Sequence, residues 1–274
     1  MKLKHTLLAL VLASSAASTN ASEIEFLGSN FGGFDVTFDM IDFLVEEATV
    51  TQTDSNNSTN IIGPDWFDEF GSTSVVALVL DNSAQPYLGT NFDGTAAASD
   101  LVMYFDYNVQ GFASQGTGIT TVDFTALPNA ELYVMWDQDG DNNTGSNGRE
   151  TKVSLANFTL NSGNCLIDSD IVNGEVVVNA AGANDCNLEM EGTFAAGNFF
   201  FEGADLSTIM SPISVSYEAT VQNFDGLNFS YDGEDQQTFK VTHDANMSIH
   251  IPEPSSIAIL GLGLLGLARI RRKA

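Results

Sequence analysis

The sequence predicts an all-β body, a single antiparallel β-sandwich of jelly-roll or Ig-like type with about eight to ten strands. Three observations carry this expectation. Apolar and polar residues alternate in short runs, Gly, Asn and Asp punctuate the runs, and helical periodicity is scarce between residues 22 and 251.

In chain order, Phe34, Val36 and Phe38 alternate with Asp35, Thr37 and Asp39, the period of a strand with one buried face. The alternation stops at Met40-Ile41, and residues 42–48 suit either a helical turn or a second strand. Residues 49–60 form a Thr, Ser, Asn and Asp tract without a period, which predicts a long loop. Trp66, Phe67 and Phe70 then stand among Asp65, Asp68 and Glu69, ahead of the apolar run 75–80. Such a cluster is expected as core at a strand entrance; the alternative is an exposed Trp that stacks on a sugar ring.

Strand-like runs follow at 101–109, 122–127, 131–136, 152–160, 175–178, 198–201 and 213–221. A hairpin is expected where Leu227, Phe229 and Tyr231 alternate with polar residues, Asp232-Gly233 supplies the turn, and Phe239 and Val241 return. A last strand over 246–251 leads directly into Pro252.

Both ends of the chain read as processing segments. Lys2 and Lys4 precede an apolar run at 7–13 and small residues at 14–21, the layout of a signal peptide cut after Ala21. At the other end Pro252-Glu253-Pro254 and the capping residues Ser255 and Ser256 precede an apolar run at 257–268, followed by Arg269, Arg271, Arg272 and Lys273. The prolines stop any helix from entering continuously from upstream. The 14 residues from Ser255 to Ala268 make a helix of about 21 Å. Such a helix crosses a membrane by local thinning, with its terminal cations snorkelling to the cytoplasmic headgroups. An ordinary anchor that is never cut is the alternative.

This order of Pro-Glu-Pro, short Gly-rich apolar helix and basic end resembles the PEP-CTERM sorting signal of Gram-negative bacteria. The resemblance covers residues 252–274. It implies recognition by an exosortase-type membrane enzyme, a transient stay in the inner membrane, and release to the cell surface or extracellular polysaccharide matrix. The expected organisation is a signal peptide at 1–21, a sandwich body at 22–251 and a sorting signal at 252–274.

Charge narrows the partners. Of 36 acidic residues only Glu253 falls outside 22–251, leaving Arg149, Lys152 and Lys240 as the body's cations and a formal charge of −32. Such a surface repels nucleic acid and attracts cations. Cys165 and Cys186, an even pair in an exported chain, predict a disulfide worth about 3 kcal/mol in the chain-entropy model.

One loop has the donors of a metal site. Asp137, Asp139, Asp141 and Asn143 alternate around Gly140 directly after a strand, and their oxygen-only donors suit Ca²⁺. The pattern departs from an EF-hand loop, with Asn142 at the sharp-turn position and Gly148 where the bidentate Glu belongs. His5 leaves with the signal peptide, His250 abuts the sorting signal, and His243 is expected at the sheet surface. That distribution gives no zinc site built from several histidines and no well-placed triad. The expected function is structural or adhesive and non-catalytic, in the exopolysaccharide or biofilm matrix. The alternative is a secreted carbohydrate-active hydrolase with paired carboxylates beside Trp66 or Trp136.

Overall fold

The computed structural model describes residues 22–44, 46–53, 65–85, 101–115, 118–136, 151–172, 175–179, 182, 184–209, 212–225 and 236–251. The signal-peptide segment, most of the 49–60 tract, the 137–143 acidic loop, the 227–233 hairpin turn and the 252–274 tail lie outside the described residues.

The described chain is strand almost throughout. In order these are β1 Ile24–Leu27, β2 Asp35–Phe38, β3 Met40–Phe43, β4 Glu46–Thr53, β5 Asp65–Leu80, β6 Ser83–Gln85, β7 Val102–Gln115 and β8 Ile119–Trp136. They continue with β9 Thr151–Val172, β10 Glu175–Val178, β11 Asn184–Phe194, β12 Phe199–Phe201, β13 Ala204–Asp205, β14 Ile213–Asp225 and β15 Gln236–His250. The sequence runs alternate as expected, and the undecided segment 42–48 is strand, divided between β3 and β4. Residues 49–53, expected as loop, belong to β4. Two separately expected runs, 122–127 and 131–136, form the one strand β8, whose pairing with β9 shifts register between Asp123 and Glu131.

The main sheet closes on itself. Antiparallel pairing runs β5–β7–β8–β9–β11–β14–β15, and β15 pairs in turn with β3 and β4, which pair back to β5. Each wall strand of this ring therefore lies beside the wall strands before and after it in the chain, the order of an up-and-down barrel. The antiparallel all-β class is as expected, but the connectivity is neither jelly-roll nor Ig-like. Those folds set non-consecutive strands side by side, whereas successive wall strands are adjacent here. The pairing of β8 with β9 leaves the two facing halves of the sheet no open edge between them.

Closure sorts the side chains by parity. On β15, Phe239, Val241, Ala245, Met247 and Ile249 are buried inside while Lys240 and Asp244 are exposed outside. The same alternation on β11 buries Cys186, Leu188 and Met190 and exposes Asn187 and Glu189. The exterior is thus mainly polar and acidic and the interior mainly apolar, with buried polar residues such as Gln52, Asp65 and His243 inside and exposed Phe70 and Phe112 outside.

A second sheet, ordered β13-β12-β1-β2, covers one end of the barrel. Ser22 N–H donates to the Ile249 carbonyl at 3.0 Å, and Asp39 N–H to that of Val79 at 2.8 Å. Ile24, Phe26, Phe38 and Phe199 are at most 1 % exposed. Their rings continue a stack from the barrel wall, with Phe105–Phe158, Phe158–Phe194, Phe194–Phe199 and Phe199–Phe26 centroids 5.8, 6.3, 5.5 and 5.2 Å apart. Each fully buried phenylalanine contributes roughly 2–3 kcal/mol by area.

Candidate functional site

Two groups of side chains occupy opposite faces of the same strands. On the outer face of β5 and β7, Trp66 pairs in register with Phe112, Asp68 with Gln110, Phe70 with Asn108, and Ser74 with Tyr104. On β5 aromatic Trp66 and Phe70 are separated by Asp68, while on β7 the polar residues Gln110, Asn108 and Asp106 separate Phe112 from Tyr104. At ~3.3 Å per residue, Trp66 and Phe70 stand roughly 13 Å apart. Trp66 and Phe112 meet edge to face at 5.3 Å, and Phe70 is 55 % and Phe112 39 % exposed.

Between the rings lies a fixed polar rung. Asn108 Nδ2 and Gln110 Nε2 donate to the two oxygens of Asp68, at 2.7 and 3.1 Å. This orients the Asp68 carboxylate as a hydrogen-bond acceptor at the surface. Further along the face Tyr104 stacks on Tyr133 at 5.4 Å, and Lys152 Nζ lies 3.8 Å above the Tyr133 ring while pairing with Glu131 at 2.7 Å. Burial, then the charge of Asp106, pushes the Tyr133 hydroxyl up to about 12, so it remains a proton donor and donates to Asp106 at 3.2 Å.

Inside the barrel the neighbours of these residues make a separate cluster. Tyr107 Oη donates to Glu69 Oε1 at 2.9 Å, and His243 Nε2 lies 3.2 Å from the same oxygen and 2.5 Å from Tyr107 Oη. Gly71 makes room for this, because a Cβ there would collide with the Tyr107 ring. Deeper polar pairs join Gln52 to Asp65 at 3.3 Å and Thr120 to Ser169 at 2.8 Å. His243 is 8 % exposed and faces inward, not at the sheet surface as expected, because its parity matches Val241 and Ala245.

The expected aromatic cluster divides between the two faces. Phe67 is core at 3 % exposure, while Trp66 is half-buried and Phe70 exposed on the outside. Asp68 points outward and Glu69 inward, so these adjacent acids do not face a common substrate. Cys165 and Cys186 are direct register partners on β9 and β11 and form the expected disulfide, facing the interior. The calcium-loop residues Asp137, Asp139, Asp141 and Asn143, the motif Pro252-Glu253-Pro254 and the cations Arg269, Arg271, Arg272 and Lys273 lie outside the described residues. Sequence reading missed Phe112 as a partner of Trp66, Asn108 and Gln110 as partners of Asp68, and Tyr107 and Glu69 as partners of His243. Alternation on β7 was the available signal, but register decides which residues meet.

Comparison with curated proteins and with solved structures found no match. Residues 250–273 match the family model of the PEP-CTERM protein-sorting motif. The match falls on the Pro-Glu-Pro, apolar and basic segments that β15 leads into, and the motif implies an exported protein recognised by an exosortase. The chain is thus a barrel-forming protein that carries a PEP-CTERM protein-sorting motif at residues 250–273.

Proposed function

We propose that the protein is a non-catalytic, adhesive component of the cell surface or extracellular polysaccharide matrix of a Gram-negative bacterium. The observation that supports this reading is the outward row of Trp66, Phe112 and Phe70 around the oriented Asp68 carboxylate. Exposed rings at this spacing stack on the apolar faces of successive sugars, and a fixed acceptor between them takes hydroxyl hydrogen bonds. A glycan without net negative charge suits so acidic an exterior. The sorting motif delivers the barrel to that glycan: an exosortase takes up the chain at the inner membrane and releases the body outside. Asp137, Asp139, Asp141 and Asn143 hold Ca²⁺ and stiffen the loop after β8.

One experiment tests both the address and the adhesion. Cells of an exosortase-bearing host express the full chain, and surface-released protein is measured together with its retention on the host's own exopolysaccharide. Alanines at Pro252, Glu253 and Pro254 are expected to leave full-length protein in the inner membrane. Trp66→Ala with Phe70→Ala is expected to release normally but to lose at least tenfold in retention, about 1.4 kcal/mol. Asp139→Ala is expected to remove any gain from millimolar Ca²⁺. Undiminished retention of the double aromatic variant would refute adhesion through this face, whatever the sorting arm shows.

A further inference from the structure

The half of the barrel remote from the small sheet is not filled by the described residues. Side chains of β4, β5, β7, β8, β9, β11, β14 and β15 surround a cavity through which the centre of a water-sized sphere can move over about 80 Å³. One water needs roughly 10–15 Å³ by that measure, so the space admits a molecule of several heavy atoms. Its walls are mainly apolar, with Phe67, Val109, Phe124, Leu188, Met190 and Val241 among them. Apolar walls hold water poorly.

One polar atom in this lining has no hydrogen-bond partner among the described residues. Tyr217 is 5 % exposed, and its Oη is buried with no hydrogen bond among the described residues. Its ring lies beside Phe105 and Tyr107, at 5.6 and 6.3 Å. Tyr107, in contrast, donates a hydrogen bond to Glu69. A buried phenol left unpaired costs roughly 1–3 kcal/mol, so a hydroxyl kept at that position is explained by an acceptor that arrives from outside. Burial, then the nearby charges of Glu69 and Asp244, raises the Tyr217 pKa, which keeps the phenol protonated as a donor.

We propose that the barrel interior binds a small apolar molecule, of the size of one aromatic ring with a short substituent, whose single oxygen acceptor receives the Tyr217 hydroxyl. The cavity is inside the barrel wall and independent of the outer aromatic face. The walls supply affinity without direction, and Tyr217 orients the ligand by its carbonyl or ether oxygen.

The test uses the full chain held in amphipol and isothermal titration calorimetry with two probes. Acetophenone carries a ring and one carbonyl; ethylbenzene has a similar shape without the acceptor. Acetophenone is expected to bind at one site per chain, about tenfold more tightly than ethylbenzene, the margin of one neutral hydrogen bond. Tyr217→Phe should erase that margin while leaving ethylbenzene binding in place. Ala219→Phe, which grows into the cavity, should abolish binding of both probes. Failure of acetophenone to bind the wild-type chain overturns the proposal and leaves Tyr217 to water alone. Equal affinity of the two probes for the wild type, or acetophenone binding undiminished in Ala219→Phe, overturns it too. The wild-type comparison stands even where a variant fails to fold.

Discussion

At the small-sheet end of the barrel, Phe194, Phe199 and Phe26 continue the ring stack and Ile24 and Phe38 are at most 1 % exposed. Toward the other end the inward residues include Gln52, Asp65, Glu69 and His243, and an unfilled cavity separates the walls. One end has dense apolar packing and the other has mainly apolar walls, with a few polar side chains among them, around empty space. The difference teaches where this fold draws its stability and where it leaves room for a ligand, since close packing and an open site exclude each other locally.

The largest expected effect tests that division directly. Phe199→Ala removes a ring at 0 % exposure from the centre of the stack and should cost about 3–5 kcal/mol in urea unfolding. Phe239→Ala should cost clearly less, because Phe239 is 7 % exposed and already borders the cavity. Equal losses at the two positions would mean that the barrel draws stability evenly from both ends.

A smaller effect separates two tyrosines whose rings lie 6.3 Å apart. Tyr107→Phe strips Glu69 of a donor inside the barrel and should destabilise by about 1–3 kcal/mol. Tyr217→Phe removes a hydroxyl without a partner among the described residues and should raise stability by about 1–3 kcal/mol. Thermal unfolding of both variants sharpens the comparison. A Tyr217→Phe loss as large as that of Tyr107→Phe would show that the Tyr217 hydroxyl is already engaged in the unliganded barrel.

The sequence made the wall strands legible and the ring illegible for one physical reason. Alternation reports which residues share a face, so Phe239, Val241 and the 213–221 run are legible as strand. It does not report register, and only register brings Phe112 beside Trp66 or closes β8 against β9. β11 escaped notice although Cys186, Leu188 and Met190 alternate with polar residues, because none of its residues is β-branched before Thr193. His243 was misplaced because a lone histidine between Thr242 and Asp244 looks solvated, whereas parity from Val241 forces it inward. The disulfide was legible because only two cysteines exist, and its cross-strand geometry follows from the register of β9 with β11.

The smallest expected effect contrasts one carboxylate on the barrel wall with one beside the small sheet. Burial, then the charge of Asp244, raises the Asp42 pKa above its ordinary 3.8. A raised folded pKa means that the stability tied to Asp42 is fully present below pH ~3.8 and is lost as pH rises through the folded value. Asp42→Asn should therefore raise the melting temperature at pH 7, with the gain fading as pH falls below that range. Asp205 has the opposite sign. Burial pushes its carboxyl up, but the Ser207 and Gly197 N–H groups, at 2.9 and 2.7 Å, more than reverse this and hold it below the usual range. Its contribution is present above pH ~3.8 and is lost as pH falls through the lowered folded value, so Asp205→Asn should lower the melting temperature at pH 7 and converge with the wild type in acid. Melting curves of the two variants from pH 7 to pH 3 should therefore approach the wild type from opposite sides. Approach from the same side would mean that local hydrogen bonding at Asp205 does not outweigh burial, and that the small-sheet end gains nothing from its charged turn.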